Sequence, residues 1–166
     1  MEQNLKNRST ALRRHPEFLN GKVCLVSSCG GHLAEIRALR EAYEDCSFFF
    51  VVNDRIELSP DMEDRTYFIV HSERDLKTFL NFFEALRILK KERPSVILST
   101  GAGPAVPFAL AGKLLGIPNV FVEISAQVLR PSLTGRIMYR LADRFFYQWP
   151  ALGRFFPAGT YGGALL

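Results

Sequence analysis

The chain has 166 residues, enough for one sizeable hydrophobic core and little more. With 48% apolar residues, 23% charged residues and a formal net charge of +4, its composition is that of an ordinary globular domain. Lys and Arg are interleaved with Asp and Glu along much of the chain, which argues against nucleic acid as a partner.

Residues 1–20 (MEQNLKNRSTALRRHPEFLN) contain no apolar segment of signal-peptide type and read as a polar, basic leader. Residues 21–166 then read as a single domain. Lys22–Ser27 (KVCLVS) is an apolar run without alternation, the mark of a strand buried on both faces. It breaks into Ser27-Ser28-Cys29-Gly30-Gly31-His32, and a helix pattern follows over about Leu33–Tyr43, with Leu33, Ile36, Leu39 and Tyr43 on one side. Cys24, Cys29 and Cys46 are an odd number without the spacing of a disulfide framework. Cys24, Cys29 and His32 lack a nearby fourth ligand, and a strand Cys24 should point into the core, so no metal is expected.

Ser47–Val52 (SFFFVV) and Thr66–Val70 (TYFIV) read as the second and third strands. A long helix is expected from about Asp75 to Glu92, stopping before Pro94. Its stripe of Leu76, Phe79, Leu80, Phe83 and Leu86 should pack on the sheet. Phe82 and Leu89 widen that stripe to about half the circumference, more than a surface helix commonly needs. With Lys90, Lys91 and Arg93 at the helix end, the widened side is a candidate for contact with an anionic membrane. A broad core face ending in a solvated charge run is the alternative.

Ser95–Leu98 (SVIL) reads as the fourth strand and leads into Ser99-Thr100-Gly101-Ala102-Gly103-Pro104. A helix follows over Pro104–Leu115, opened by proline and closed by Gly116. The most apolar stretch, Val106–Leu115, is short and contains Lys113, below the ~20 residues that span a bilayer. Asn119–Ile124 is a fifth strand and Ser132–Ala142 a helix. Arg136 and Arg140 should form a row on that helix suited to lipid phosphates, with Ile137 and Leu141 inward. A solvated face is again the alternative. Arg144–Tyr147 is a sixth strand.

Strands alternating with helices predict a Rossmann-like, doubly wound parallel α/β sheet, whose ligands sit outside the carboxyl ends of the strands. Both glycine clusters fall there, and each opens a helix. Glycines let a phosphate approach backbone N–H groups at a helix start, and Ser27, Ser28, Ser99 and Thr100 could add hydroxyl donors. Gly30, Gly31, Gly101 and Gly103 are therefore candidate phosphate-binding positions beside those hydroxyls. Tight strand-to-helix turns would need glycine too, but two such loops on one sheet edge favour a phosphate-bearing ligand. Asp54 stands where a ribose-binding acid of a dinucleotide fold belongs. The first loop, however, is not G-x-G-x-x-G, so no nicotinamide or flavin cofactor is expected.

SSCGGHL, then ERPSVILSTGAGPAVPFALAGKLLGIPNVFVEI and PSLTGRIMYRLADRFFYQW, together resemble the PssD-type polysaccharide-biosynthesis proteins. Those are bacterial relatives of the membrane-anchoring subunit of the dolichol-linked N-acetylglucosaminyltransferase. A more distant similarity is to the N-terminal half of MurG, which shares a G-G-H loop and a Glu after its fifth strand. The resemblance runs from about Lys22 to the end of the chain. It implies the acceptor-side half of a split GT-B glycosyltransferase. Such a half handles a polyprenyl-diphosphate-linked acceptor at the cytoplasmic face of the membrane, while a separate PssE-type subunit binds the nucleotide-sugar. The length of the chain agrees with one such half. Its uncharged end, with Tyr161, Leu165 and Leu166, would suit a docking tail for that partner. Inverting sugar transfer needs a base for the acceptor hydroxyl and stabilisation of the departing diphosphate. His32 in the helix opening and Glu123 near the end of the fifth strand are the two candidate bases. His71, after the third strand, faces the same edge as a lesser candidate. Trp149 reads as packing or partner contact. A non-catalytic membrane scaffold and a self-sufficient nucleotide-binding enzyme remain as alternatives.

Overall fold

The computed structural model describes residues 21–53, 62–69 and 77–165. The basic leader, Asp54, His71, Leu76 and Leu166 lie outside the described residues. The strands are β1 (Lys22–Ser27), β2 (Ser47–Val52), β3 (Thr66–Phe68), β4 (Val96–Gly101), β5 (Asn119–Val122), β6 (Arg144–Tyr147) and β7 (Thr160–Tyr161). The helices are α1 (Gly31–Ala38), α2 (Lys77–Glu92), α3 (Ala105–Leu115) and α4 (Leu133–Leu141). All seven described strands join one sheet in the order β3-β2-β1-β4-β5-β6-β7, and every neighbouring pair is parallel. The doubly wound Rossmann-like α/β fold expected from the alternation is therefore the observed one.

Burial on both faces explains the unbroken apolar strands. In β1, Val23 and Leu25 point to a core shared with Leu33 and Ile36 of α1. Cys24 and Val26 point to the opposite core, which contains Ala85, Ile88 and Leu89 of α2 with Phe108 and Ala111 of α3. A third cluster joins α3 and α4 to β5 and β6 through Ala109, Phe121, Met138 and Phe145. Cys24 is thus a core residue, and burial raises its thiol pKa well above the ordinary value.

Several boundaries differ from expectation. Helix α1 begins at Gly31 and gives way to a 3-10 turn at Arg40–Ala42, so His32 lies in its first turn. Strand β4 extends through Ser99, Thr100 and Gly101: Val26 pairs with Ser99, and a shift of register that passes over Thr100 then sets Ser27 opposite Gly101. The two-residue β7 has no counterpart in the sequence reading.

Helix α2 is turned about its axis relative to the expected stripe. Asn81, Ala85, Ile88 and Leu89 form its buried side, and Leu89 is only 1% exposed, so it belongs to the core rather than to a membrane-facing surface. Leu80 and Phe83, expected to pack, are 56% and 64% exposed. Phe82 is half-buried against the core. The small Ala85 carries little weight in an apolar count, yet it allows the helix to approach the sheet closely. In α4, Ile137 is likewise exposed, whereas Gly135 and Met138 are buried and Leu141 packs against the third cluster.

Replacing Leu89 with Ala should destabilise the fold by about 2–5 kcal/mol, the range for a truncated core leucine. Phe83→Ser should change stability by no more than about 0.5 kcal/mol, as at ordinary surface sites. Urea denaturation measures both, and the reverse ranking would contradict the orientation of α2.

Candidate functional site

The strand order turns back between β1 and β4, so the chain leaves these adjacent strands toward opposite faces of the sheet, to α1 and to α3. Such a switch point opens a crevice at the carboxyl edge. Both glycine loops lie there, and Ser28 N–H donates to Gly101 O at 3.0 Å, holding one against the other. Gly30 has φ +79°, a left-handed conformation that favours glycine, and it caps α1. A side chain at Gly31 would meet nothing within 4 Å, so the space before the helix is open. No side chain caps α1 and no acid stands in its first turn. The partial positive charge of this helix start is therefore left for an external anion.

His32 and Thr100 bind each other reciprocally. His32 Nδ1–H donates to the Thr100 carbonyl at 2.8 Å, and Thr100 Oγ1 donates to the His32 carbonyl at 2.8 Å. A carbonyl can only accept, so the proton of the neutral ring sits on Nδ1 and Nε2 keeps its lone pair. The ring is half-exposed. Gly101 adapts to it in two ways: its φ is +106°, and a Cβ there would stand 3.0 Å from His32 Cε1. A histidine with a fixed tautomer and a free Nε2 can accept a proton in the crevice.

The hydroxyls expected to face a phosphate are mostly turned inward. Ser27 is fully buried, Ser99 Oγ accepts from Gly101 N–H at 3.1 Å, and Thr100 Oγ1 is engaged with His32. These three side chains shape the loops instead of lining open space: β1 and β4 run on as strands to these positions, with Ser27 opposite Gly101 and Thr100 passed over by a shift of register. Ser28, Gly30, Gly31 and Gly103 remain accessible.

Glu123 lies just beyond β5, at the expected edge, but its carboxylate is 1% exposed and turned beneath the first turn of α4. A Cβ at Gly135 would overlap its Oε2. Neither carboxylate oxygen has a hydrogen-bond partner, and burial raises the carboxyl pKa. The Ser132 hydroxyl and the amides of Ile124 and Ser132 lie near enough to oppose that rise, without completing hydrogen bonds. The structure thus separates the two candidate bases: His32 borders the crevice and Glu123 does not.

Sequence reasoning missed three further polar residues at this edge. Asn53, buried just past β2, accepts from Cys29 N–H through Oδ1 at 3.3 Å and steadies the first loop. A polar residue ending an apolar strand was the available signal. Glu35 and Gln148 are buried and hydrogen-bonded to each other at 2.9 Å. Neither carries a motif, and only tertiary contact brings them together.

The remaining candidates lie away from the crevice. Lys90 and Lys91 are exposed, and Lys91 donates to Tyr67 OH at 2.8 Å. Arg136 and Arg140 are exposed on α4 beside Leu133 and Ile137. Tyr161 is exposed on β7, whereas Leu165 packs against the α1-side core and its N–H donates to Gln148 Oε1 at 2.7 Å. Leu165 is therefore docked on its own domain, because an apolar residue there covers sheet surface that would otherwise be wet. Trp149 Nε1–H donates to Ser125 O at 2.6 Å, a packing role within the chain. Among the described residues, no helix is long and apolar enough to cross a membrane.

Comparison with known proteins places this geometry. The rat UDP-N-acetylglucosamine transferase subunit ALG14 is 27% identical over 191 aligned positions, covering 93% of this chain and 88% of the rat protein. A Nitrosospira multiformis UDP-N-acetylglucosamine–N-acetylmuramyl-(pentapeptide) pyrophosphoryl-undecaprenol N-acetylglucosamine transferase is 36% identical over 74 positions, 45% of this chain and 20% of that enzyme. Among solved structures, Acinetobacter baumannii MurG superposes with a TM-score of 0.65 at 19% identity, over 79% of this chain and 42% of MurG. Rickettsia bellii UDP-N-acetylglucosamine 2-epimerase gives a TM-score of 0.69 at 14% identity, over 87% of this chain and 45% of the epimerase. These two neighbours share the fold, and the chain spans under half the length of either. The family pattern described as oligosaccharide biosynthesis protein Alg14-like matches residues 70–165, more than half of the sequence, and the chain belongs to that family.

Proposed function

We propose that this chain is the acceptor-side subunit of a two-chain glycosyltransferase. The complex would move a sugar from a nucleotide-sugar, a UDP-sugar, to a polyprenyl-diphosphate-linked saccharide during exopolysaccharide or capsule assembly. A separate donor-binding subunit of the PssE type would complete the cleft, and this chain alone would be inactive. Family membership supports the reading, as do the names of its relatives: a transferase subunit for UDP-N-acetylglucosamine, and an enzyme whose acceptor is a pyrophosphoryl-undecaprenol. The observation that carries it is the His32–Thr100 pair, which leaves Nε2 free beside an uncapped helix start. The diphosphate would lie against the backbone at Gly30, Gly31 and Gly103. His32 Nε2 would take the proton of the acceptor hydroxyl as the sugar arrives. Glu123, buried and with a raised pKa, would act through the shape of α4 rather than on substrate.

Attachment to the cytoplasmic face of the membrane would be peripheral. Helices α2, α3 and α4 lie on one side of the sheet, and their outer surfaces carry exposed Leu80, Phe83, Leu110, Leu114, Leu133 and Ile137. Exposed cations on the described parts of these helices include Arg87, Lys90, Lys91, Lys113, Arg136 and Arg140, and neither α3 nor α4 contains an acidic residue. Apolar side chains framed by cations suit an anionic lipid surface. This surface retains Lys90, Arg136 and Arg140 from the sequence reading and replaces Leu89 with Leu80 and Phe83.

Three measurements test the reading. In the complex reconstituted with its donor subunit, His32→Gln should lower kcat by about 10²–10⁴-fold, the range for losing a general base. Recruitment of the donor subunit to vesicles should be unchanged. Unaltered transfer would favour the scaffold alternative, and tight UDP-sugar binding with turnover by the isolated chain would overturn the two-chain reading.

Replacing both Arg136 and Arg140 with Gln should weaken flotation with phosphatidylglycerol vesicles about 30-fold, at roughly 1 kcal/mol per arginine near an anionic surface. Undiminished flotation would exclude α4 from the contact.

Because the native carboxyl of Glu123 holds its proton where an unfolded glutamate has lost it, its contribution to stability is fully present only below the unfolded pKa, about 4.3. That contribution is lost as pH rises through the raised native pKa. Glu123→Gln should therefore gain stability relative to the unmodified chain between pH 4 and pH 7.5, measured by urea denaturation. A difference that stays flat with pH would contradict the burial of an unpaired carboxyl.

A further inference from the structure

Glu35 sits one turn after His32 on α1, with its side chain 1% exposed. Its Oε1 accepts from both Ser125 N–H, at 2.7 Å, and Ser125 Oγ–H, at 2.6 Å. Its Oε2 accepts from Gln148 Nε2–H at 2.9 Å. The two bonds from Ser125 have the short lengths of hydrogen bonds to a charged acceptor. Ser125 is held from its other side as well, since its carbonyl accepts from Trp149 Nε1–H. The same Gln148 amide donates to the Glu123 carbonyl at 2.9 Å, and its Oε1 accepts from Leu165 N–H.

The start of α1 is thus fastened to two neighbouring strand ends by side chains three residues apart. His32 reaches the end of β4 at Thr100, and Glu35 reaches the loop after β5. A buried carboxylate is a demanding choice for a fastener, because it must be fully satisfied by donors. An amide at this position would fail. With its oxygen toward Ser125, its NH₂ group would face the NH₂ group of Gln148. Gln148 cannot turn over to relieve the clash without losing its bonds to both Leu165 and the Glu123 carbonyl.

We infer that Glu35 is a positioning residue, which holds the loop beginning at Ser125 in fixed register with His32 across the crevice. It acts through Ser125 and touches no substrate. Its effect on sugar transfer rests on the reaction proposed above, whereas the clasp itself rests on geometry alone.

The experiment uses the full chain with Glu35→Gln and, as the milder change, Ser125→Ala, which removes only the hydroxyl donor. Amide hydrogen exchange followed by NMR should show Ser125 N–H losing protection by roughly tenfold to a hundredfold in Glu35→Gln, the equivalent of one hydrogen bond to a charged group. The amides of Leu25 and Val26 in β1 should keep theirs. Trp149, the single tryptophan of the chain, should shift its emission to longer wavelength as its partner carbonyl moves. In the complex reconstituted with the donor subunit, kcat should fall at least about tenfold in Glu35→Gln and less in Ser125→Ala, while donor KM stays within about twofold. Ser125 protection equal to that of the unmodified chain would overturn the clasp. Lost protection with unchanged kcat would overturn its positioning role. If Glu35→Gln exposes β1 amides too, Ser125→Ala decides: a tryptophan shift and a lower kcat support the proposal, and their absence sinks it. An unmodified complex that transfers no sugar would overturn the proposed reaction and the positioning role together, and the exchange measurement would still decide the clasp.

Discussion

The parallel pairing of β1 with β4 decides where everything else in the site can lie. It sets two strand ends side by side while sending the chain to opposite faces of the sheet, so both glycine loops meet at one crevice. Their backbones are joined by Ser28 N–H and Gly101 O, and α1 is locked onto the second loop by the reciprocal His32–Thr100 bonds. Helix α1 has only eight residues and no capping side chain, so its position depends on such fastenings as well as on Leu33 and Ile36 in the core. A ring held at Nδ1 by a carbonyl presents Nε2 in one orientation, which a freely rotating histidine would not do.

Much of this arrangement was legible in the sequence because strand burial and loop chemistry are local signals. Unbroken runs such as KVCLVS and VILST announce two-sided burial, and a glycine pair before a helix announces its start. What could not be read was which side of an element wins when both are apolar. In α2 the large residues Leu80 and Phe83 outweigh Asn81 and Ala85 in any hydrophobic count, yet packing follows close approach, and the small residues face the sheet. The hydroxyls of Ser27, Ser99 and Thr100 misled for a related reason. Both strands run on to Ser27 and Gly101, with a shift of register that passes over Thr100, so side chains that look like loop donors are committed to the interior.

The two buried glutamates show why position in sequence is a poor guide to chemical role. Glu123 stands at the strand end where a base was expected, but it lacks hydrogen-bond partners and presses against Gly135. Glu35 bears no motif and yet accepts three hydrogen bonds from two other segments of the chain. Both are buried. In Glu123 burial raises the pKa, with the nearby Glu35 adding to the rise, and protonation is the way such a group lowers its cost. A satisfied anion can fasten two loops, whereas an unsatisfied one can only constrain what packs over it. Gly135 follows from this, because any side chain there would collide with the carboxylate.

The same sheet recurs in MurG and in UDP-N-acetylglucosamine 2-epimerases, so a helix start at a switch point does not by itself choose a reaction. The discriminating features are carried on top of the sheet. The crevice offers amides and a lone pair but no acid in the first turn of α1, a combination suited to a diphosphate whose neighbouring hydroxyl must lose a proton. The outer layer of α2, α3 and α4 offers leucines, a phenylalanine and exposed cations, and α3 and α4 contain no acidic residue. Water-exposed leucine is ordinary when scattered; exposed leucines beside cations on three helices are what the proposed membrane contact would use. On the reading proposed here, one requirement explains both features. A diphosphate tethered to a lipid is an anion that never leaves the bilayer, so the protein that binds it must bring its amide-rich crevice to the membrane.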